Sequence, residues 1–385
     1  MIYTYPDYYK EFKCIADECK DTCCAGWQIV VDDASLKRYK SVSAEHEFKE
    51  RLDKSIDWKE EVFKQDECRR CAFLNEKNLC DMYVALGEES LCHTCATYPR
   101  HIEEFENLRE VTLSISCPEV ARILLCKVDK VTFYEEENGE EECLDDYEDF
   151  DDLMFGILQD VRQVMISIMQ DRTLDVRLRS AIVWEMADEL QECIDNGDAF
   201  YCQDVLEKYV GDISLNNSVS AQIIKEMKSK LDDFLGNPKQ YYDTSLGMFK
   251  KLYQLEVLME DWEQQVDEAA LMLYGKDEKY YASLCREFEE WLNSNMFYWQ
   301  VQFEQIVVYF LSTYLCGAVY DGWVASKTKM SVAAAFYIHE ILMSVWLKNG
   351  KKLVEEDIIN VTYRYSRELE HSDINLDEME ECMSQ

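Results

Sequence analysis

Beyond residue 150 the apolar positions recur every three to four residues. Phe303, Ile306, Val307, Phe310, Leu311 and Tyr314 share one helical face. Val332, Ala335, Phe336, His339, Leu342, Met343 and Trp346 share another. Similar stripes run through 153–169, 176–193, 222–234 and 246–274, so seven to nine helices packed as a bundle or array are predicted. No fixed-period repeat is visible, which argues against a solenoid. The first 130 residues read differently. Residues 28–31 and 111–115 predict short strands, the second with clean alternation. Asp33-Ala34-Ser35 predicts a helix start running through Tyr39. Cys117-Pro118-Glu119 predicts another running through Leu125, with proline in the first turn, where a missing N–H costs nothing. The predicted fold class is therefore mainly α: a small N-terminal module with short strands, followed by a large all-helical domain. The expected boundaries are 1–134 for the module, 135–152 for an acidic linker or loop, and 153–385 for the helical domain.

Composition supports that class. Twelve Gly and four Pro are few turn formers for 385 residues, and 48% hydrophobic content excludes a disordered chain. The net charge of −38 repels phosphate backbones, so nucleic acid is not an expected partner. The same field attracts cationic groups such as lysines on a protein. From Glu135 to Asp152 the chain carries twelve acids and no base, and self-repulsion should keep that run extended. The first residues, MIYTYPDYYKEFK, show no basic stretch leading into an apolar one, so no signal peptide is expected and a cytoplasmic location is. The longest uncharged apolar run, IVVYFLSTYLCGAVY at 306–320, is short for a membrane span. No transmembrane segment is expected, while peripheral membrane contact and the oligomeric state stay open.

Cysteine placement adds chemistry. Eleven of the seventeen cysteines lie at or before Cys126. One group is Cys14-x4-Cys19-x3-Cys23-Cys24, running into Ala25-Gly26-Trp27. The other holds Cys71, Cys80 and Cys92-His-Thr-Cys95, running into Tyr98-Pro99-Arg100, and Cys117-Pro118 closes the set. Thiolates two to four residues apart converge on one ion without straining the backbone, and four sulfurs suit zinc or an iron–sulfur cluster. The spacing leaves both metals open. Nine candidate ligands exceed one four-coordinate centre, so either two centres exist or some thiols serve other roles. Cys68 and Cys126 are read as bystanders, and Cys193, Cys202, Cys285, Cys316 and Cys382 as isolated residues. His339 is read as a hydrogen-bonded core histidine, and His93 as a non-ligand.

The segments YYKEFKC, CKDTCCAGWQIVVDD, CAFLNEKNLCDMYVALGEESLCHTCATYPR and LREVTLSISCPEVARILL resemble the flagellin lysine N-methylase family over roughly residues 5–126. A looser likeness extends to Cys-x2-Cys-x2-Cys-Cys zinc- or iron-chelating domains. The first resemblance implies an S-adenosylmethionine-dependent enzyme that methylates lysine ε-amines of flagellin, with a [4Fe-4S] cluster required for methyl transfer. The positions carried over as a set are Cys14, Cys19, Cys23, Cys24, Cys71, Cys80, Cys92, Cys95 and Cys117. Trp27, Tyr98 and Arg100 are the candidate cofactor-binding residues: two aromatic faces and a guanidinium for a carboxylate. No catalytic residue stands out. The chain holds no Gly-x-Gly turn of the usual S-adenosylmethionine fold, and no Cys-x3-Cys-x2-Cys radical motif. Two other classes remain: a non-catalytic protein-interaction module stapled by zinc, and an iron–sulfur redox protein.

Overall fold

The computed structural model describes residues 1–43, 47–139, 150–211 and 218–384, with backbone alone at Glu260. Residues 140–149 of the acidic run, with Cys143, lie outside the described residues. Their neighbours Glu135–Glu137 form the end of a strand, where an extended linker was expected.

The N-terminal elements are short. They are β1 (Ile2–Pro6), α1 (Asp33–Ser41), α2 (Lys49–Ser55), β2 (Ile56–Asp57), β3 (Val62–Phe63), α3 (Asp81–Leu86), α4 (His93–Thr97), β4 (Arg100–Phe105), β5 (Leu108–Leu113), α5 (Pro118–Cys126) and β6 (Phe133–Glu137). Four strands form one sheet in the order β4-β5-β1-β6. β1 runs parallel to β5, with Ile2 opposite Leu108, and antiparallel to β6, with Pro6 opposite Phe133. Residues 28–31, expected as a strand, contribute a single bridge from Val30 to Val62. The alternation in β5 predicts one wet face, yet all six of its residues are buried. Glu110 is covered on one face by the Arg162 fork, and Arg109, on the other face, donates to the Glu106 carbonyl.

The remainder is helical. The elements are α6 (Asp152–Met169), α7 (Val176–Asp195), α8 (Cys202–Tyr209), α9 (Ala221–Gly236), α10 (Pro238–Lys250), α11 (Glu260–Tyr274), α12 (Glu278–Asn295), α13 (Trp299–Tyr314), α14 (Ala318–Asp321), α15 (Val324–Lys348), α16 (Glu355–Glu370) and α17 (Asp373–Met383). Polar caps start many of them: Asp151, Asp175, Ser220, Asn237, Asp277 and Ser372 each accept a first-turn N–H. The stripe at 246–274 is not one helix. It breaks between α10 and α11, where Leu258 and Met259 N–H groups donate to the Glu368 carboxylate and Glu256 N–H donates to Asn375. Partners over a hundred residues away impose that break, so no local turn residue marks it.

α15 lies at the centre, packed against α7, α11, α13, α16 and α17. It is apolar nearly all round, as a fully enclosed helix must be. Trp299–Asp321 and Val324–Lys348 are long and apolar enough to cross a membrane by length and composition, yet 78% of each is buried inside the fold. Two apolar clusters result. The larger joins α6–α17 to α5 and to sheet residues Phe105, Leu108 and Leu113. The smaller is confined to residues 29–92 and includes Ile29, Leu36, Tyr39, Leu52, Phe63, Phe73 and Met82, with Cys71 and Cys92 among them.

Candidate functional site

Short loops tied to short helices place the thiols. Cys80, Cys92 and Cys117 are the residues immediately before α3, α4 and α5. Cys71 N–H donates to the Cys24 carbonyl at 2.8 Å, joining the two halves of the sequence motif. Gly26, at φ +91°, turns the chain after Cys24, and its N–H reaches the Arg69 carbonyl at 3.1 Å. Asp32 fixes the other edge. One carboxylate oxygen caps α1 through Ser35 N–H at 2.9 Å, and the other accepts His93 N–H at 2.8 Å, beside Cys92. Burial opposes ionisation of Asp32, but these N–H bonds outweigh it and hold the carboxyl down at about 2.

Electrostatic coupling sorts the nine cysteines into two neighbourhoods. Cys24, Cys71, Cys80, Cys92 and Cys95 act on one another, and so do Cys14, Cys19, Cys23 and Cys117. Adjacent Cys23 and Cys24 join the two neighbourhoods. The neighbouring Cys23 thiol, then Thr22 and Arg70, lower Cys24 to about 7 despite burial, while Cys23 rises. Cys92 and Cys95 pair likewise, Cys92 falling and Cys95 rising. Burial pushes Cys71 up to about 12 and Cys117 up to about 11. Among the described residues, no three Cys, His, Asp or Glu side chains stand around one point in metal-ligating geometry. In kind and number the donors fit a thiophilic metal or an iron–sulfur cluster, because two groups of four or five sulfurs are available. Cys68 and Cys126 are exposed, and His93 contributes its backbone N–H to Asp32.

The group holding Cys19, Cys23 and Cys117 borders the helical domain. There Arg367 of α16, 3% exposed, pairs with Asp21 at 2.6 Å and donates to the carbonyls of Asp21 and Ser116 at 2.8 and 2.9 Å. The Ser116 hydroxyl meets Tyr98 OH at 3.0 Å, His371 Nε2 at 3.0 Å and Ser114 Oγ at 2.6 Å. Ser114 continues to Glu370, a carboxyl whose pKa burial raises and which Tyr309 and Tyr314 bond. Burial, then the neighbouring Arg367 charge, lowers His371 to about 3 and keeps it neutral.

Trp27 and Tyr98 stand together in this region. The Trp27 ring lies 5.9 Å from Tyr98 and 4.7 Å from His371, and its N–H donates to the Cys23 carbonyl at 2.7 Å. Arg100 is placed differently, exposed on the faces of Tyr9 and Phe12 and donating to Tyr9 OH at 3.0 Å. Sequence reasoning missed Asp21, Ser116, Arg367 and His371. The one available signal was a cluster of charged residues on the otherwise apolar stripe at 363–371.

The helices that supply Arg367, Glu370 and His371 carry a family signature of their own. Residues 162–385 match the FliB lysine N-methylase C-terminal domain. The chain belongs to the FliB lysine N-methylase family. This FliB-family match begins within α6 and runs through α17, so it adds the helical domain to the likeness seen over residues 5–126. Among curated proteins, a lysine-N-methylase of Salmonella typhimurium is 29% identical over 140 residues, 34% of each chain. The flagellar biosynthetic protein FliU of Salmonella muenchen is 29% identical over 143 residues, 35% of this chain and 83% of that one. The chain thus spans about a third of the length of the curated lysine-N-methylases it matches. No solved structure matches.

Proposed function

We propose that this FliB-family chain is a cytoplasmic protein-lysine N-methyltransferase that uses S-adenosylmethionine and acts on flagellin. The observation that carries the proposal is the family match over the helices that close one side of the cysteine module, taken with the flagellar name of a relative. We assign a [4Fe-4S] cluster to four of the nine clustered cysteines. When bound there, it supplies iron sites that can take up the amino and carboxylate groups of the methyl donor.

The chain's own residues do the rest. Asp32 and the Cys24–Cys71 backbone bond hold the thiol-bearing loops in register. Arg367, through Asp21 and Ser116, locks the module to α16 beside the half-buried wall formed by Trp27, Tyr98 and His371. That aromatic wall is where we place the donor, whose adenine can stack on an indole or phenol face. In the transfer itself the neutral lysine nitrogen attacks the sulfonium methyl. A nitrogen–carbon bond forms as the sulfur–carbon bond breaks, and the electron pair stays on sulfur as a neutral thioether. A poorly solvated site favours the uncharged amine, which must lose its proton first.

The test is anaerobic purification with iron, sulfide and zinc analysis and a visible spectrum, followed by transfer of labelled methyl to flagellin. About four irons and four sulfides, a brown chromophore and label on lysine are the expected results. Colourless protein with zinc and no label overturns the enzyme reading and leaves the zinc-stapled interaction module. Brown protein with no label leaves the redox protein.

A further inference from the structure

The helical domain holds a half-open cavity of about 540 Å³ between α7, α9, α10, α12, α13 and α15, within the size range of small-ligand sites. The cysteines contribute none of its lining. The wall is mainly apolar, and Trp184, Phe234, Tyr241, Trp299, Phe303 and Phe336 contribute aromatic rings to it.

The charges on that wall are unequal. Asp175, Glu185, Glu289 and Glu340 line it against Arg177 and Lys230. Lys230 is taken by Glu185, and Arg177 lies between Asp175 and Glu289 at 3.3 and 3.8 Å. Glu340, 1% exposed, forms no ion pair among the described residues. The hydroxyls of Tyr274 and Tyr281 donate to its two oxygens at 2.6 and 3.1 Å. Burial pushes this carboxyl up to about 7 in spite of those bonds. A buried carboxyl without a cation is costly to ionise, and a cation entering the cavity removes that cost. Beside it, His339 was expected to be a hydrogen-bonded core residue. Its Nε2 lies 3.6 Å from the Glu289 carboxylate and its ring stacks on Trp299 at 5.7 Å, while its Nδ1 is buried without a partner. A buried polar atom left unbonded in a cavity wall is explained by a ligand that reaches it.

Aromatic faces around an unpaired carboxyl are the chemistry that holds a weakly hydrated alkylammonium ion. We propose that this cavity binds an N-methylated lysine side chain of the modified protein, as a second site separate from the cysteine module. The identity of the side chain rests on the methyltransferase proposal. The preference for an organic cation rests on the cavity alone.

The probes are acetyl-lysine-amide derivatives titrated against the anaerobically purified full chain and followed by calorimetry and tryptophan fluorescence. They carry zero, one, two or three methyl groups on the side-chain nitrogen, with the uncharged norleucine analogue as control. Affinity should rise with methyl number, and the trimethylated form should bind about tenfold or more tightly than norleucine amide. Glu340→Gln should lower that preference about tenfold while leaving norleucine amide unchanged. Trp184→Leu, at a partly exposed residue of the same wall, should weaken all the cations and guards against misfolding of the Glu340 variant. Equal binding of norleucine amide, or equal affinity for unmodified lysine, overturns the proposal. S-adenosylmethionine binding that is lost in Glu340→Gln also overturns it, by giving the cavity to the methyl donor. The Cys92→Ser/Cys95→Ser variant separates the two proposals: it should lose methyl transfer and still bind the trimethylated probe. If the intact protein transfers no methyl yet selects methylated cations, the enzyme reading falls and the cavity assignment stands.

Discussion

The two apolar clusters are built on different terms. In the helical domain, long amphipathic helices surround α15, and residues such as Ile306, Phe310, Ile338 and Leu342 lose all contact with water. The cluster at residues 29–92 has few large side chains, helices of five to nine residues and cysteines inside its core. A core that small offers little hydrophobic stabilisation against chain entropy, and small folds of this kind commonly rely on bonds to sulfur. The comparison teaches that one region folds by burial of long apolar faces, while the other builds its small core partly from thiols.

The sharpest way to break this contrast is to remove the sulfurs. Cys92→Ser/Cys95→Ser should lose bound metal and methyl transfer and melt the module, while far-UV circular dichroism keeps most of its helical signal. Equal loss of helix throughout the chain would show that the two regions fold as one. The next largest effect lies in the helical core. Glu304, fully buried, bridges Arg172 and Arg179, so Glu304→Gln leaves buried guanidinium charges under-compensated. The expected cost is about 3–5 kcal/mol in denaturant unfolding, with metal content per folded protein unchanged.

Between the regions, Arg367→Lys removes the forked contacts to Asp21 and Ser116. Roughly 1.5–3 kcal/mol should be lost, together with faster proteolysis near residues 20–25. The smallest effect belongs to Asp32→Ala. Loss of the cap on α1 should cost about 1 kcal/mol and weaken metal retention at Cys92. In the parent, the Asp32 carboxyl is lowered on folding. Its contribution is therefore complete above about pH 4 and disappears as pH falls toward about 2. A variant whose acid unfolding profile overlays that of the parent would remove Asp32 from the account.

The helical domain was largely legible because its period is a local property. The stripes at 153–169, 176–193 and 303–314 became α6, α7 and α13 with little change. Where tertiary partners overrode the pattern, it misled, as at 255–259, where Glu368 and Asn375 hold the chain out of the helix. The cysteines announced themselves by spacing, but their division into two neighbourhoods did not. Adjacent Cys23 and Cys24 fall into different neighbourhoods, a distinction that spacing alone does not make. Asp21, Ser116, Arg367 and His371 were invisible for another reason: the contacts span 251 to 346 residues, and no local pattern encodes a meeting of that range.

The placement of β1 carries a consequence for biogenesis. Its five residues lie between β5 and β6, so their backbone pairing begins only once residues 108–110 have been made and is complete only with residue 137. Arg367 and His371, which close the wall beside Cys23 and Cys117, come later still. During synthesis the nine thiols are therefore exposed for hundreds of residues before their enclosure is complete. Any metal these thiols take up, or any protector against oxidants, would have to reach them before the chain is finished.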